Sequence, residues 1–350
     1  MWKRLIIVSV VCLLFFVGCN KKEALELEQR QDEVATEREK RTVPSQKNDE
    51  YPYQFPLTGI GSEEEIQGRA VAVMINNHPL ARPQSGLNQA DIVFELLAEG
   101  KVTRFLAIFQ SEKPNKVGPV RSARKYYIEL AKGYDSLFVA HGYSPEAEQM
   151  LKHGFIDHIN GMQHDGTLFK RAKNRKAPHN SYIYFDDIVK GANKNNYDMN
   201  QAPNSLDFLS DKEIETLVGE QAISIDISYN DSAFNSKLEY DEDLKKYERY
   251  SAGKLTVDYD SDEPVLIDNL LVIETSHKVI DDAGRREIDL TSGGKGYLFQ
   301  KGKMITVEWK NVEGRILPYY NGVKAELVPG RTWVNVIPKS SGLDGAISFQ

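Results

Sequence analysis

The chain has 350 residues, of which 41% are hydrophobic and 27% are charged. These values are ordinary for globular proteins, and they exclude wholesale disorder, collagen-like repeats and proteins that cross a membrane many times. The formal net charge of −7 argues against a nucleic-acid partner bound through bulk positive charge. Two cysteines are too few for a disulfide scaffold or a four-cysteine zinc site.

The N-terminal segment has the pattern of a secreted lipoprotein precursor. Two positive residues precede the apolar run Leu5–Val17, which is shorter than the roughly 20 residues of a membrane-spanning helix. The run has the length of a signal-peptide hydrophobic region. It leads into Gly18-Cys19, which resembles a bacterial lipobox, although Phe16 stands where leucine is usual. We therefore expect residues 1–19 to be a lipoprotein signal peptide with Cys19 as the lipidation site. The alternative is an uncleaved anchor with an incidental cysteine.

This interpretation predicts where the protein resides. A diacylated, palmitate-bearing Cys19 would be a stable anchor in the lipid bilayer, with the folded part facing outward from the cell membrane. Cytosolic cofactors are not available there, so we expect no cofactor, and the sequence gives no metal-ligand motif. Residues 20–50 are rich in charge and lack an apolar face, which predicts a charged tether.

Residues 51–204 are predicted to form an α/β domain with a mixed sheet. Four apolar runs are typical of strands: Arg69–Asn77, Asp91–Leu97, Thr103–Gln110 and Ser136–His141. Turn residues between the second and third runs predict an antiparallel hairpin. Ser122 is the predicted N-cap of one helix, and Ser144-Pro145 opens a second. Ser181–Lys190 fits either a helix or a strand.

Residues 205–350 are predicted to form an acidic, β-rich domain. An asparagine-rich linker, residues 193–204, precedes it. Short strands separated by turns indicate a sandwich or a barrel: Ala222–Tyr229, Lys237–Tyr240, Tyr247–Ser251, Val265–Ser276, Gly296–Phe299, Met304–Lys310 and Thr332–Ile337. The predicted fold class is therefore α+β, with an N-terminal α/β domain and a β-rich C-terminal domain.

The densest group of chemically capable residues lies at the start of the first predicted helix. Ser122 as N-cap would leave the first amides of that helix free, and Arg121 and Arg124 flank the same turn. A helix N-terminus between two guanidinium groups is suited to binding an anion. The alternative is that Arg121 and Arg124 pair with local acids such as Glu112 or Glu129.

Other polar loops are expected at the same edge of the sheet. If the third and fourth strands are parallel, the turn at His141 lies beside the Arg121 turn, at the edge where open α/β sheets bind ligands. Further candidate ligand-binding residues follow the first strand, or lie in or just after the basic loop Lys170–Lys176: His78, Arg82, Gln84, Arg171, His179 and Asn180. The hairpin turn with Glu95, Glu99 and Arg104 is expected at the opposite end, with an internal Glu–Arg pair.

Enzyme templates find little support in the sequence. Ser122 and Lys125 match S-x-x-K, but a convincing K-T-G partner is absent. Neither G-x-S-x-G nor H-E-x-x-H occurs. Asp258–Asp262 resembles the start of a calcium loop, but Glu263 replaces the required glycine, so a solvated acidic turn is favoured. The sequence assigns no catalytic residue and no metal site, and it favours a protein that is not an enzyme.

Six short motifs occur in order: Met74–His78, Arg82–Gly86, Ala90–Val93, Glu99–Phe105, Gly118–Arg124 and Ala177–Asn180. Together they resemble the YerB-like lipoproteins of Gram-positive bacteria. Asn269–Ile273 and Gly330–Val334 resemble the second domain of that family. The resemblance implies a lipoprotein with two extracytoplasmic domains. It implies no reaction, because no activity is assigned to the family.

Three functions remain open on these grounds. The leading one is binding of an anionic ligand or cell-envelope polymer in an Arg/His-lined cleft of the first domain. Arg121, Arg124 and Arg82 would supply charge there, and the histidines would supply neutral hydrogen bonds. The second is a cell-envelope hydrolase or transferase with a histidine general base. The third is a non-catalytic scaffold that docks a membrane or envelope protein partner.

Overall fold

A computed structural model describes residues 50–350. The predicted signal peptide with Cys19, and the tether up to residue 49, lie outside the described residues.

The first part of the described chain alternates strands and helices. Its strands are β1 (Tyr53–Gln54), β2 (Gly61–Ser62), β3 (Val71–Asn76), β4 (Ile92–Leu97), β5 (Thr103–Phe109), β6 (Lys116–Val117), β7 (Leu137–Ala140), β8 (His158–Asn160), β9 (Phe169–Arg171) and β10 (Ser181–Tyr184). Its helices are α1 (Lys125–Gly133), α2 (Pro145–Lys152), α3 (Gly161–His164) and α4 (Phe185–Lys194). The segment predicted as helix or strand is thus both, because β10 leads directly into α4.

The second part consists mostly of strands, as predicted. A short helix, α5 (Asp211–Glu215), precedes them. The strands are β11 (Glu220–Gln221), β12 (Ser224–Ile227), β13 (Ser236–Asp241), β14 (Lys246–Ser251), β15 (Lys254–Leu255), β16 (Leu266–Ile267), β17 (Asn269–Thr275), β18 (His277–Val279), β19 (Arg286–Ile288), β20 (Gly294–Gln300), β21 (Lys303–Val312), β22 (Arg315–Tyr320), β23 (Val323–Lys324), β24 (Thr332–Pro338) and β25 (Ile347–Phe349). Helix α6 (Gly342–Ala346) lies just before β25.

One large sheet contains strands from both parts of the chain. Its order is β23-β22-β21-β20-β17-β24-β4-β5-β3-β7-β8, with β11 beside β21. Strand β24 joins the parts, because it pairs in parallel with β17 on one side and with β4 on the other. A second sheet, β15-β14-β13-β12-β25, consists only of strands from the second part.

The first strands of the large sheet are buried on both faces. Val71, Val73 and Ile75 of β3 pack into one core, and the alternating residues Ala72 and Met74 pack into the other. Residues of the second sheet and of α4 share the first core, whereas α1 and α2 cover the opposite face. Covered faces on both sides explain why β3 is a continuous apolar run.

The structure corrects two expectations about strand neighbours. The third predicted strand, β5, is not parallel to the fourth, β7; β7 instead pairs in parallel with β3. Strand β5 runs antiparallel between β4 and β3. Because Arg104 at the start of β5 pairs with Asn76 at the end of β3, the β4–β5 turn lies at the same edge as the ends of β3 and β7, not at the opposite end.

Candidate functional site

The Arg121 turn lies at that edge because of backbone contacts with β3, which the predicted strand order did not include. The backbone of Val120 forms a bridge with Ile75 of β3, and the Arg121 amide donates to the Met74 carbonyl at 2.9 Å. The Arg121 carbonyl accepts from the His141 amide at 3.0 Å, just after β7 ends. Arg121 therefore lies between the ends of β3 and β7, adjacent to His141 as expected.

Ser122 is not the N-cap of the helix. Helix α1 begins two residues later than predicted, with Arg124 as N-cap and no side-chain capping bond. The Ser122 hydroxyl instead donates to the His141 carbonyl at 3.1 Å, and the Ser122 carbonyl accepts from Arg104 Nη1 at 2.8 Å. Ser122 joins the two turns rather than presenting a helix end to a ligand.

Arg124 is paired with an acid, but not with the acids that the sequence indicated. Its Nε donates to Glu99 Oε1 at 2.5 Å, and Nη2 contacts the same oxygen. Glu99 Oε2 accepts from Arg104 Nη2 at 2.5 Å, which is the internal Glu–Arg pair expected at this hairpin. Glu112 instead accepts from Arg331. One carboxylate therefore holds two guanidinium groups, and all three nitrogens of the Arg124 guanidinium already donate within the chain.

Arg121 differs from its neighbour. Among the described residues its side chain makes no hydrogen bond and no ion pair, and its Nε is buried without a partner. Burial is the main cause that lowers the pKa of its guanidinium, while the charge of Glu99 acts in the opposite direction. A buried, unpaired donor costs free energy, so Arg121 is held in a position that a bound anion would stabilise.

Two histidines stack beside this arginine. The rings of His78 and His179 have centroids 4.5 Å apart and lie within 26° of parallel. The His78 amide donates to Asn76 Oδ1 at 3.0 Å, so Asn76 Nδ2 is the donor to His179 Nδ1 at 2.9 Å. His78 Nδ1 accepts from the Leu80 amide at 3.2 Å. These partners place the proton of each neutral ring on Nε2, which makes two adjacent donors.

His141 completes the group that we call the Arg/His cluster, namely Arg121, His78, His141 and His179. Its Nε2 accepts from Arg171 Nη2 at 3.0 Å, so its Nδ1 carries the proton and donates to Ser181 Oγ at 2.7 Å. Arg171 is fixed in turn by Asp165 at 2.9 Å and by Asn180 Oδ1 at 3.2 Å. Arg171 and Asn180 thus orient His141.

Burial and cationic neighbours keep these histidines neutral. Burial is the largest cause that lowers the pKa of each of the three imidazoles. The charge of Arg121 lowers all three pKa values further, with Arg82 also acting on His78 and Arg171 on His141. In each ring the nitrogen that keeps a lone pair already accepts a hydrogen bond. The cluster can therefore donate to a ligand but has no free basic nitrogen.

Arg82 and Gln84 lie next to the cluster and hold its loops. Arg82 Nε donates to Asn77 Oδ1 at 3.0 Å, and Nη2 donates to the Asn77 carbonyl at 2.7 Å. Burial, followed by the charge of Arg249, lowers the pKa of Arg82 to about 10, and Glu95 opposes this shift. Gln84 is buried, and its Nε2 donates to the Asn76 carbonyl at 3.0 Å. Gln84 thus has a structural role here.

Sequence reasoning placed Glu99 and Arg104 away from the site, although they belong to it. It also did not single out Ser181, whose hydroxyl accepts from His141 Nδ1. The sequence did contain one signal for their role, namely the short spacing of Glu99 and Arg104 across a hairpin turn. Its meaning depended on knowing that β5 lies antiparallel to β3.

Two enzyme-like patterns are engaged in other contacts. Lys125 Nζ lies 3.6 Å from Glu146 and 3.9 Å from Glu129, while the Ser122 hydroxyl bonds to a carbonyl. Asp258 Oδ1 accepts the amides of the next turn, as a capping side chain does. Within residues 50–350, no group of three histidine, cysteine or acidic side chains could hold a metal ion.

The described helices also bear on membrane insertion. In residues 50–350, no helix combines the length and apolar character needed to cross a bilayer.

The chain has a strand-rich α+β fold in two parts, and its motif-bearing loops lie together at one edge of the large sheet. Comparison with known families identifies the class of protein that has this organisation. Two family models match the chain, described as the N-terminal and C-terminal domains of "Protein of unknown function (DUF3048)". They cover residues 57–198 and 225–334. The chain belongs to this family, and the predicted α+β class is confirmed. The boundary at residues 204/205 stays a prediction.

Individual relatives agree with this assignment. The chain is 43% identical over 341 residues to "Putative lipoprotein YerB" of Bacillus subtilis strain 168, and 96% of each chain is covered. The crystal structure of YerB protein from Bacillus subtilis matches with a TM-score of 0.78 and 46% identity, covering 85% of this chain and 99% of that one. The resemblance to YerB-like lipoproteins is confirmed.

Proposed function

We propose that the protein is a lipoprotein anchored through Cys19 to the outer face of the cell membrane, where its Arg/His cluster binds an anionic ligand. The anchor is supported by the lipobox-like sequence at Gly18-Cys19 and by the relative from Bacillus subtilis, which is named as a lipoprotein. Binding is supported by the chemistry of the cluster.

The observation that carries this proposal is the state of Arg121. The neighbouring Arg104 and Arg124 share Glu99, and Arg171 has Asp165. Arg121 has no such partner among residues 50–350, although its Nε is buried. An anion would supply the missing acceptor, and a hydrogen bond to a charged group contributes about 1.5–3 kcal/mol.

The histidines extend the same preference for an acceptor. His78 and His179 are donors at Nε2, and in the described residues neither Nε2 has a hydrogen-bond partner. Together with Arg121 they offer donors without a matching acceptor. Such a set favours an anion over a neutral or cationic ligand.

A hydrolase with a histidine general base is less well supported. A general base needs a lone pair within reach of the proton that it removes. In the cluster, those lone pairs accept from the Leu80 amide, from Asn76 and from Arg171. Each ring would have to lose an existing hydrogen bond before it could act.

Calorimetric titration of the full-length protein in detergent with inorganic phosphate and sulfate tests the binding. We expect Arg121→Gln to weaken binding about 10- to 100-fold, because it removes one charge-assisted interaction. The matched control is Lys132→Gln, which removes an exposed charge at the far end of α1. Equal affinity of the Arg121→Gln variant and the unmodified protein would contradict the proposal.

The anchor has its own test. We expect Cys19→Ala to abolish incorporation of a palmitate analogue, so that protein recovered by membrane fractionation carries no lipid label. Cys12→Ala, in the apolar run that is removed with the signal peptide, is the matched control and should keep the label. Undiminished labelling of the Cys19→Ala variant would contradict lipidation at this residue.

A further inference from the structure

We infer that the ligand of the Arg/His cluster is a linear polyol phosphate chain, with a phosphodiester in each repeat, which continues from the cluster along the basic loop. The basic loop is residues 170–176, which begin in β9 and continue toward β10. This inference rests on the proposed function and specifies its ligand class.

The basic loop is in direct contact with the cluster. The Ala172 amide donates to the Asn180 carbonyl at 2.8 Å, and the His179 amide donates to the Lys176 carbonyl at 2.9 Å. Arg171, at the start of the loop, contacts His141. A chain bound at the cluster is therefore adjacent to the loop.

Several cations on this surface form no direct ion pair with an acid of the described residues. Lys173 and Lys176 are exposed and form no ion pair among the described residues. Arg175 donates to the carbonyls of Ala81 and Pro83, the latter at 2.6 Å, and to the side chain of Tyr182, none of which is an acid. Arg82 bonds only to the neutral Asn77. With Arg121, these residues carry more positive charge than a single small anion balances, which favours a polyanion.

The donor set favours phosphate over carboxylate. A carboxylate accepts hydrogen bonds close to one plane, and a bidentate guanidinium alone can satisfy it. A phosphodiester has oxygens arranged around a tetrahedral phosphorus. It can accept from Arg121 and from the two stacked imidazoles, which are donors on separate rings. The same phosphodiester repeats along a polymer and supplies one charge for each further cation.

The aromatic rings near the cluster argue against a nucleic acid. Proteins that bind single strands offer open ring faces on which bases stack. Here His78 and His179 stack on each other, and the ring of Tyr259 lies under Arg175, whose guanidinium carbon is 5.0 Å from its centroid. Lys116 is 5.7 Å from the same ring. A backbone of phosphates without bases fits this surface better.

The experiment uses full-length protein in phosphatidylcholine nanodiscs, titrated with poly(glycerol phosphate) and with glycerol phosphate as the single-repeat probe. We expect the polymer to bind about 100-fold more tightly than the monomer, because neighbouring repeats engage at high effective concentration. We expect Lys173→Gln with Lys176→Gln to reduce the slope of log affinity against log salt by about 1.4 for the polymer, at roughly 0.7 per charge. Affinity for the monomer should not change.

The matched control is Lys132→Gln with Lys212→Gln, which removes the same charge from exposed sites outside the loop and should leave the slope unchanged. Polymer binding no tighter than monomer binding, or an unchanged slope in the loop variant, overturns the inference while the proposed function stands. If Arg121→Gln binds both the polymer and glycerol phosphate as tightly as the unmodified protein does, the proposed function itself is contradicted. Equal or tighter binding of polyglutamate, oligothymidylate or phosphatidylglycerol vesicles also overturns the inference.

Discussion

Two arginine centres lie close together in this protein and are built in opposite ways. In the buried centre, Arg249 of β14 is 1% exposed and its Nη2 bonds to the fully buried Glu95 of β4 at 2.9 Å. Its guanidinium carbon lies 4.7 Å from the centroid of the Trp333 ring. Arg121, at the edge of the sheet, has no acid and no hydrogen bond among residues 50–350.

Satisfaction of polar atoms distinguishes the two centres. Both arginines have a buried Nε without a partner, but Arg249 also donates from Nη1 to Thr256 at 3.1 Å. Glu95 accepts from Asn77, Thr103 and Asn335 in addition to Arg249. The buried centre is a nearly complete network that holds the fold together, whereas the edge has donors left over. A buried polar group that serves structure finds its partners inside the chain.

The largest expected effect is on the buried centre. Replacement of Arg249 by alanine leaves the Glu95 carboxylate buried without its counter-charge. We expect the free energy of unfolding, measured with urea, to fall by about 3–5 kcal/mol. A second variant, Glu95→Leu with Arg249→Met, should recover part of that loss because no buried charge remains. A loss below about 1 kcal/mol for Arg249→Ala would show that the pair is not a structural centre.

The free energy of unfolding should respond differently to a substitution of Arg121 at the sheet edge. Arg121→Met removes no hydrogen bond of the described residues, so we expect the free energy of unfolding to stay within about 1 kcal/mol of the unmodified protein. Affinity for sulfate should nevertheless fall about 10- to 100-fold. If Arg121→Met instead destabilises the protein as strongly as Arg249→Ala, the two centres have the same role.

The third effect is a pH dependence that arises at the sheet edge. The folded state lowers the pKa of His78, His141 and His179 below the ordinary 6.5, so the unfolded chain binds more protons as the pH falls through 6.5. Stability of the free protein from these groups is therefore full at higher pH and is lost as the pH falls below 6.5. A bound anion favours the imidazolium. Sulfate affinity should therefore rise as the pH falls, by up to about tenfold per pH unit for one proton taken up.

Titration calorimetry with sulfate at several pH values measures this dependence, because the charge of sulfate is constant over the range. His179→Gln should flatten the profile. His153→Gln, at the exposed end of α2, should leave the profile as it is. An affinity that is independent of pH would mean that no histidine lies near the bound anion.

The smallest expected effect concerns Ser122. Its hydroxyl is used by the His141 carbonyl, so Ser122→Ala should cost about 1 kcal/mol of stability. Sulfate affinity should not change. A tenfold or larger loss of affinity would return Ser122 to the ligand-binding role that its sequence position indicated.

Local patterns predicted most of the elements. The strand that begins at Thr103 and the helix opened by Ser144-Pro145 are present because a hydrophobic run and a capping residue act over a few positions. The neighbours of each strand were harder to predict. Placing the fourth strand next to the first, rather than the third, depends on contacts between segments that are far apart in the chain.

The site was predictable to a similar degree. The residue types at Arg121, His78 and His179 indicated an anion site, and the structure places them together. Sequence could not separate Arg121 from Arg124, because the difference is whether Glu99 reaches the guanidinium. That in turn depends on which edge of the sheet the β4–β5 turn occupies.

The position of β24 has a consequence for how the chain folds. Thr332 pairs with Ile92, about 240 residues earlier, and β24 fills the place between β4 and β17. Such contact order predicts slow folding, because the loop must close before the pairing is gained. Until the last part of the chain arrives, β4 is an edge strand with unpaired backbone groups, open to pairing with another chain. We therefore expect the newly made chain to be prone to pairing with other chains until its C-terminal strand is in place.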